Sequence, residues 1–106
     1  MGFHRKQAAS IDFAAINAAA LAVLPGLLDR WLPDGRVEAG REYVARNPRR
    51  DDRRLGSFKI NLHTGRWADF ATGDKGGDVI SLAAYLADIR QIEAARELAA
   101  MLGISR

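Results

Sequence analysis

The chain has 106 residues, enough for one small domain, and its 48% apolar and 27% charged content is that of a globular protein with a single modest core. There is no cysteine and there are only two histidines, so disulfides, thiolate metal sites and a histidine-built structural zinc are all excluded. The net charge of +3 hides an asymmetry: residues 1–40 carry four basic and four acidic groups, residues 41–66 eight against three, and residues 67–106 four against six. Polyanions respond to local field, so the basic middle of the chain is where a partner is expected.

In chain order, one domain over 1–106 is expected, with a flexible lead at 1–9 and a helical region at 10–33. Ser10 or Asp12 can cap a helix whose apolar positions Phe13, Ile16, Ala20 and Leu24 recur at helical spacing. Pro25 breaks it and suits the first turn of a second helix through Leu27, Leu28 and Trp31. The apolar run Ala14–Leu28 is interrupted by Asn17 and Pro25 and is too short to span a bilayer, so no membrane partner is expected and the location is expected to be cytoplasmic. Pro33-Asp34-Gly35 then reads as a turn.

The period changes after Val37. Glu42-Tyr43-Val44-Ala45 reads as a strand, residues 57–62 alternate so that Phe58, Ile60 and Leu62 share a face, and Arg66-Trp67-Ala68-Asp69-Phe70 returns through a His63–Arg66 turn. These short antiparallel strands over 41–70 enclose a polar loop, Asn47 to Gly56, that holds four of the arginines. Residues 71–77 read as an irregular glycine turn. Asp78 caps a helix with the stripe Val79, Leu82, Ala83 and Leu86, and Asp88 with Gln91 resembles a capping box for a last helix through Ile92, Ala95, Leu98, Ala99 and Leu102. The fold class is α+β: N-terminal helices, a small antiparallel β-sheet, and two helices over 78–103.

Catalytic constellations are weak. No Ser–His–Asp grouping has supporting context, so no enzyme activity is expected. Asp69, Asp74 and Asp78 surround the glycine turn and as a group suit Mg²⁺, but Asp78 is better read as a helix cap and Asp74 as a turn residue. Gly73 to Asp78 lacks the spacing of a phosphate-binding Walker loop, although amides at a helix start, with Lys75 beside them, suit a phosphate.

The arginine loop is the stronger signal. Arg46, Arg49, Arg50, Arg53 and Arg54 fall within nine residues. Lys59, Arg66 and Trp67 extend this set along the hairpin. Guanidinium groups pair with phosphate oxygens and exposed rings stack on unpaired bases. Phe58 shares a face with Ile60 and Leu62 and is assigned to the core. Bulk favours burial of Tyr43 and Trp67, their polar handles favour the rim, and both remain open.

Two stretches then carry a family resemblance: Gly56-Ser57-Phe58-Lys59-Ile60-Asn61 and Gly76-Gly77-Asp78-Val79-Ile80-Ser81-Leu82. With Ile92-Glu93-Ala94-Ala95, Leu98-Ala99 and Gly103-Ile104 following in order, the run from Tyr43 to Ile104 resembles the N-terminal zinc-ribbon domain of DNA primases, especially phage and plasmid primases and primase-helicases. Asn47-Pro48 stands where that family has Cys-Pro, and Asn47, Arg50, Asp69 and Thr72 occupy or neighbour the ligand positions. The resemblance therefore implies a cysteine-free, metal-free ribbon that binds no cofactor. It would be held by its N-terminal helices and by hydrogen bonds from Asn47 and Thr72.

What the resemblance implies for function is a non-catalytic module of DNA replication that grips single-stranded DNA, or RNA, and presents it to a primase or helicase catalytic domain. The alternative is a protein–protein interaction or regulatory module that keeps the fold without DNA binding. It would expose an apolar patch built from Phe13, Ile16, Leu24 and Trp31.

Overall fold

The computed structural model describes residues 11–50 and 56–104. Four helices and five strands follow in the order α1 (Phe13–Ala22), α2 (Leu24–Trp31), β1 (Arg36–Glu38), β2 (Glu42–Ala45), β3 (Phe58–Asn61), β4 (Trp67–Asp69), β5 (Lys75–Gly76), α3 (Val79–Ala87) and α4 (Gln91–Met101) among the described residues. The α+β expectation is met. The expected lead at 1–9 and the Ser10 cap lie outside the described residues.

Asp12 caps α1, its carboxylate accepting from the Ala15 N–H at 3.0 Å. Val23 ends that helix and Pro25 lies in the first turn of α2, where its missing N–H costs nothing. The two axes meet at 81°, and no single described helix is long and apolar enough to cross a membrane. Ile16 and Ala20 of α1 and Leu24, Leu27 and Leu28 of α2 are buried. Asn17, which interrupts the apolar run, has a structural task. Its Oδ1 accepts from the Ile80 N–H at 2.9 Å and its Nδ2 donates to Asp78 at 3.2 Å, joining α1 to the start of α3.

The five strands form one antiparallel sheet in sequence order. Register sorts the side chains into two faces. Tyr43, Ile60 and Trp67 lie in one row and Ala45, Phe58 and Asp69 in the next, all buried under the helices. The opposite face carries the row Arg36, Val44, Lys59, Ala68 and Lys75, with Glu42 opposite Asn61 beside it. Helices α3 and α4 pack on each other and on α1. Both of the undecided rings are buried: Tyr43 donates to the Leu32 carbonyl at 2.7 Å, and Trp67 Nε1 donates to Ser81 Oγ at 3.0 Å.

Three local expectations are corrected. Residues 36–38 form a strand that the alternation does not reveal, because both faces of so short an edge are largely open; Ala39 and Gly40, with φ of 54° and 70°, turn it into β2. Within the glycine turn, Lys75 and Gly76 pair with Ala68 and Trp67 as a fifth strand. Asp88 opens no capping box: it closes α3 in the left-handed conformation, at φ 57° and ψ 49°. The box-like contact at α4 comes from Glu93, which accepts from the Arg90 N–H at 3.0 Å. The reciprocal half is impossible, since a guanidinium has no acceptor.

Gly76 is required by close approach. A Cβ there would sit 2.4 Å from both Ser81 Oγ and Trp67 Nε1. Replacing Gly76 with alanine is expected to force the Trp67–Ser81 hydrogen bond apart and lower stability by about 1–3 kcal/mol. Urea unfolding followed by tryptophan fluorescence measures it, and an unchanged midpoint would show that β5 yields freely.

Candidate nucleic-acid interface

The basic middle of the chain divides into two sets of cations with different duties. The first set sits at the root of the arginine loop. Asn47 leaves β2 buried, and its Oδ1 accepts from the Arg49 N–H at 2.8 Å, which bends the chain back at once. Its Nδ2 donates at 2.8 Å to both the Asp69 carboxylate and the Tyr85 hydroxyl. Arg50 Nε donates to the same Asp69 oxygen at 2.9 Å and its Nη2 to Ser57 Oγ at 3.1 Å. The other Asp69 oxygen accepts from the Ala71 N–H at 2.9 Å.

Asp69 is fully buried, and burial by itself pushes its carboxyl up. The hydrogen bonds from Asn47, Arg50 and Ala71 and the Arg50 charge outweigh that cost and hold it below the ordinary carboxylate value. Tyr85 is the second hub. Its hydroxyl donates to Asp74 at 2.8 Å, and burial and that carboxylate together raise its pKa, the Asn47 contact pulling the other way, so it stays a neutral donor. Arg49 lies 5.0 Å over the Tyr85 ring, donates to the Tyr85 carbonyl at 3.0 Å and pairs with Asp88 at 3.4 Å.

Arg49 stays exposed, beside Tyr85 and Asp88, while Arg50 is drawn partly inward to Asp69. The reason is that Asp69 points inward with Phe58 and cannot be buried without a cation. Arg46 remains exposed and, among the described residues, has no carboxylate partner. Arg53 and Arg54 lie outside the described residues. The Trp67 side chain is buried, with Phe58 and Tyr85 rings at 6.1 and 4.7 Å from its own, although the residue also lines the groove on the other face.

The second set faces outward. On the open face of the sheet a groove of about 550 Å³ runs across β3, β4 and β5. Lys59, Arg66 and Lys75 line it, against the single carboxylate of Glu42. Phe70, just past β4, is 73% exposed, extreme for an aromatic ring, and stands at its edge. Lys59 lies 5.9 Å from the centre of that ring. Ala68, paired with both Lys59 and Lys75, leaves the floor between the two cations low.

Lys59 and Arg66 line one groove, as neighbours on a hairpin can, and Lys75, read from the sequence only as a helper at the helix start, lines it too, while Phe70 was missed. The signal for Phe70 was present: it alternates with Trp67 and Asp69 and falls on the face of Ala68. The place of Lys75 on this face was not legible, because a two-residue strand of Lys-Gly has no pattern.

The carboxylates raised as an Mg²⁺ group are each engaged. Asp69 is inside, Asp74 accepts from Tyr85, and Asp78 caps α3 through the Ser81 N–H at 2.8 Å. Among the described residues no cluster of three or more His, Cys, Asp or Glu is placed to hold a metal. Comparison of the chain with protein-family models and with curated proteins returns no match.

Asp69 and Arg50 give a direct test. Arg50→Ala should cost about 3–5 kcal/mol, the range for breaking a buried pair, towards its lower end because Asn47 and Ala71 still donate. Since the folded carboxyl titrates below its unfolded value, its stabilisation is present at neutral pH and fades as pH drops below about 4. Acid unfolding of the two proteins should show a shallower pH dependence for the variant.

Proposed function

We propose that the chain is a non-catalytic module that binds single-stranded nucleic acid on the open face of its sheet. The observation that carries this reading is the groove in which Lys59, Arg66 and Lys75 surround a nearly bare Phe70. An exposed ring costs hydrophobic free energy in water and regains it when a base stacks on it. Cations spaced around the ring match a backbone that passes with its bases turned inward. Duplex DNA is a poorer fit, since its bases already stack on one another.

This reading agrees with what the resemblance to a primase zinc ribbon implies, and a role in holding a template for a primase or helicase catalytic domain is the biological setting it suggests. The difference lies in the residues. The contact surface is the sheet face with Lys59, Arg66, Phe70 and Lys75, while Arg49 bonds to Tyr85 and Asp88 and Arg50 to Asp69. The alternative, an interaction module presenting Phe13, Ile16, Leu24 and Trp31 as one apolar patch, draws less support: Ile16 and Leu24 are buried and Trp31 is partly buried.

Titration of the ¹⁵N-labelled protein with a single-stranded oligonucleotide at two salt concentrations should perturb residues 59–61, 66–70 and 75. Phe70→Ala should weaken binding by about 1–3 kcal/mol, the value of one base stack. Neutralising Lys59, Arg66 and Lys75 together with glutamine should flatten log K against log salt by about 2, at about 0.7 per phosphate. Absence of perturbation at those positions would refute the reading.

A further inference from the structure

One group in the groove is out of keeping with a surface made only to hold phosphates. Glu42 lines it among three cations. Its nearest cation, Lys59 Nζ, is 4.0 Å away, an ion pair without a hydrogen bond. The Glu42 side chain is 39% exposed, so both oxygens remain able to accept. A carboxylate here repels the sugar–phosphate backbone and weakens non-specific binding. A base edge that donates hydrogen bonds would gain from it.

The residue opposite Glu42 in the register is Asn61. Its Oδ1 accepts from the His63 N–H at 2.8 Å and the Thr64 N–H at 3.0 Å, which fixes the orientation of the amide. Its Nδ2 donates to no described residue, and Asn61 is one of the residues that line the groove. The groove thus offers two adjacent acceptors on Glu42, with donors on Asn61 and Lys59 beside them.

We infer that this corner of the groove selects guanine, Glu42 accepting from its N1–H and N2–H while Asn61 or Lys59 donates to O6. Guanine alone among the bases has two adjacent donors on its Watson–Crick edge. Adenine and cytosine set a ring acceptor beside their amino donor, and thymine and uracil flank one donor with two carbonyls; each would face the carboxylate with a repelling lone pair. That edge is free only in an unpaired strand. The inference rests on the nucleic-acid reading of the same face and adds to it a base preference, with Phe70 stacking a neighbouring base.

The experiment compares four oligothymidylates, differing only in a central dG, dA, dC or dT, by fluorescence anisotropy with the full chain. The dG oligomer is expected to bind about tenfold more tightly than the dT one, as charge-assisted hydrogen bonds to a fixed acceptor imply. Hypoxanthine at the same position, which lacks the N2 amino group, should fall between them. Glu42→Gln should raise affinity for the dT oligomer, because a repelling charge is gone, and bring the dG-to-dT ratio close to one. Equal binding of all four oligomers by the native chain would overturn the base preference and leave the nucleic-acid reading standing. A dG preference that survives Glu42→Gln would overturn the assignment of that preference to Glu42. Failure to bind any of them would overturn both.

Discussion

The buried carboxylate of Asp69 is the constraint on which the rest of the molecule depends. A charge with no exposed surface is tolerated only when its lone pairs are filled, and the groups that fill them come from separate stretches of chain: the amide of Asn47, the guanidinium of Arg50 and the backbone N–H of Ala71. Through Arg50 the network reaches Ser57 at the start of β3, and through Asn47 it reaches Tyr85 on α3. No buried side-chain polar atom among the described residues lacks a partner. The sheet, the arginine loop and the third helix are therefore tied at one point.

That point bears on the resemblance to primase ribbons. If the proposed likeness holds, Asn47, Arg50 and Asp69 would stand at or beside that family's metal-ligand positions; here Asn47 and Arg50 both donate to Asp69. Thr72 takes a smaller part, its Oγ1 accepting from the Asp74 N–H at 3.2 Å in the adjacent turn. A hydrogen-bonded knot joins the chain that leaves β2 to the end of β4. The apolar core of the same domain takes in Ile16 and Ala20 of α1 and Leu24 and Leu28 of α2.

With the inner face occupied in this way, the outer face over β3, β4 and β5 is left open as the groove, although Val44 of β2 on that face is buried. Strand alternation sends Trp67 and Asp69 inward and Ala68 and Phe70 outward, so one short strand helps to build both the core and the groove. The same alternation separates the cations. Lys59 is held on the open face by its place in β3, whereas Arg49 and Arg50 are drawn into the network by the carboxylates of Asp69 and Asp88 and the ring of Tyr85. Basic residues close in sequence thus do unlike work, and local charge density does not separate the two kinds.

The sequence by itself determined what periodicity and local chemistry encode. The two N-terminal helices with their break near Pro25, the alternation that buries Phe58 and Ile60, the Asp78 cap and the final helix ending at Gly103 were all legible from spacing and capping preferences. The tertiary structure decided what depends on partners distant in the chain. It made strands of residues 36–38 and 75–76, which are too short to show a period and exist only by pairing with β2 and β4. It also drew Arg50 to the buried Asp69 and set Arg49 over the Tyr85 ring, because the carboxylate that requires Arg50 lies 19 residues further along and the ring under Arg49 lies 36 residues along. A hydrogen bond across such distances is fixed by packing, and no local pattern of residues announces it.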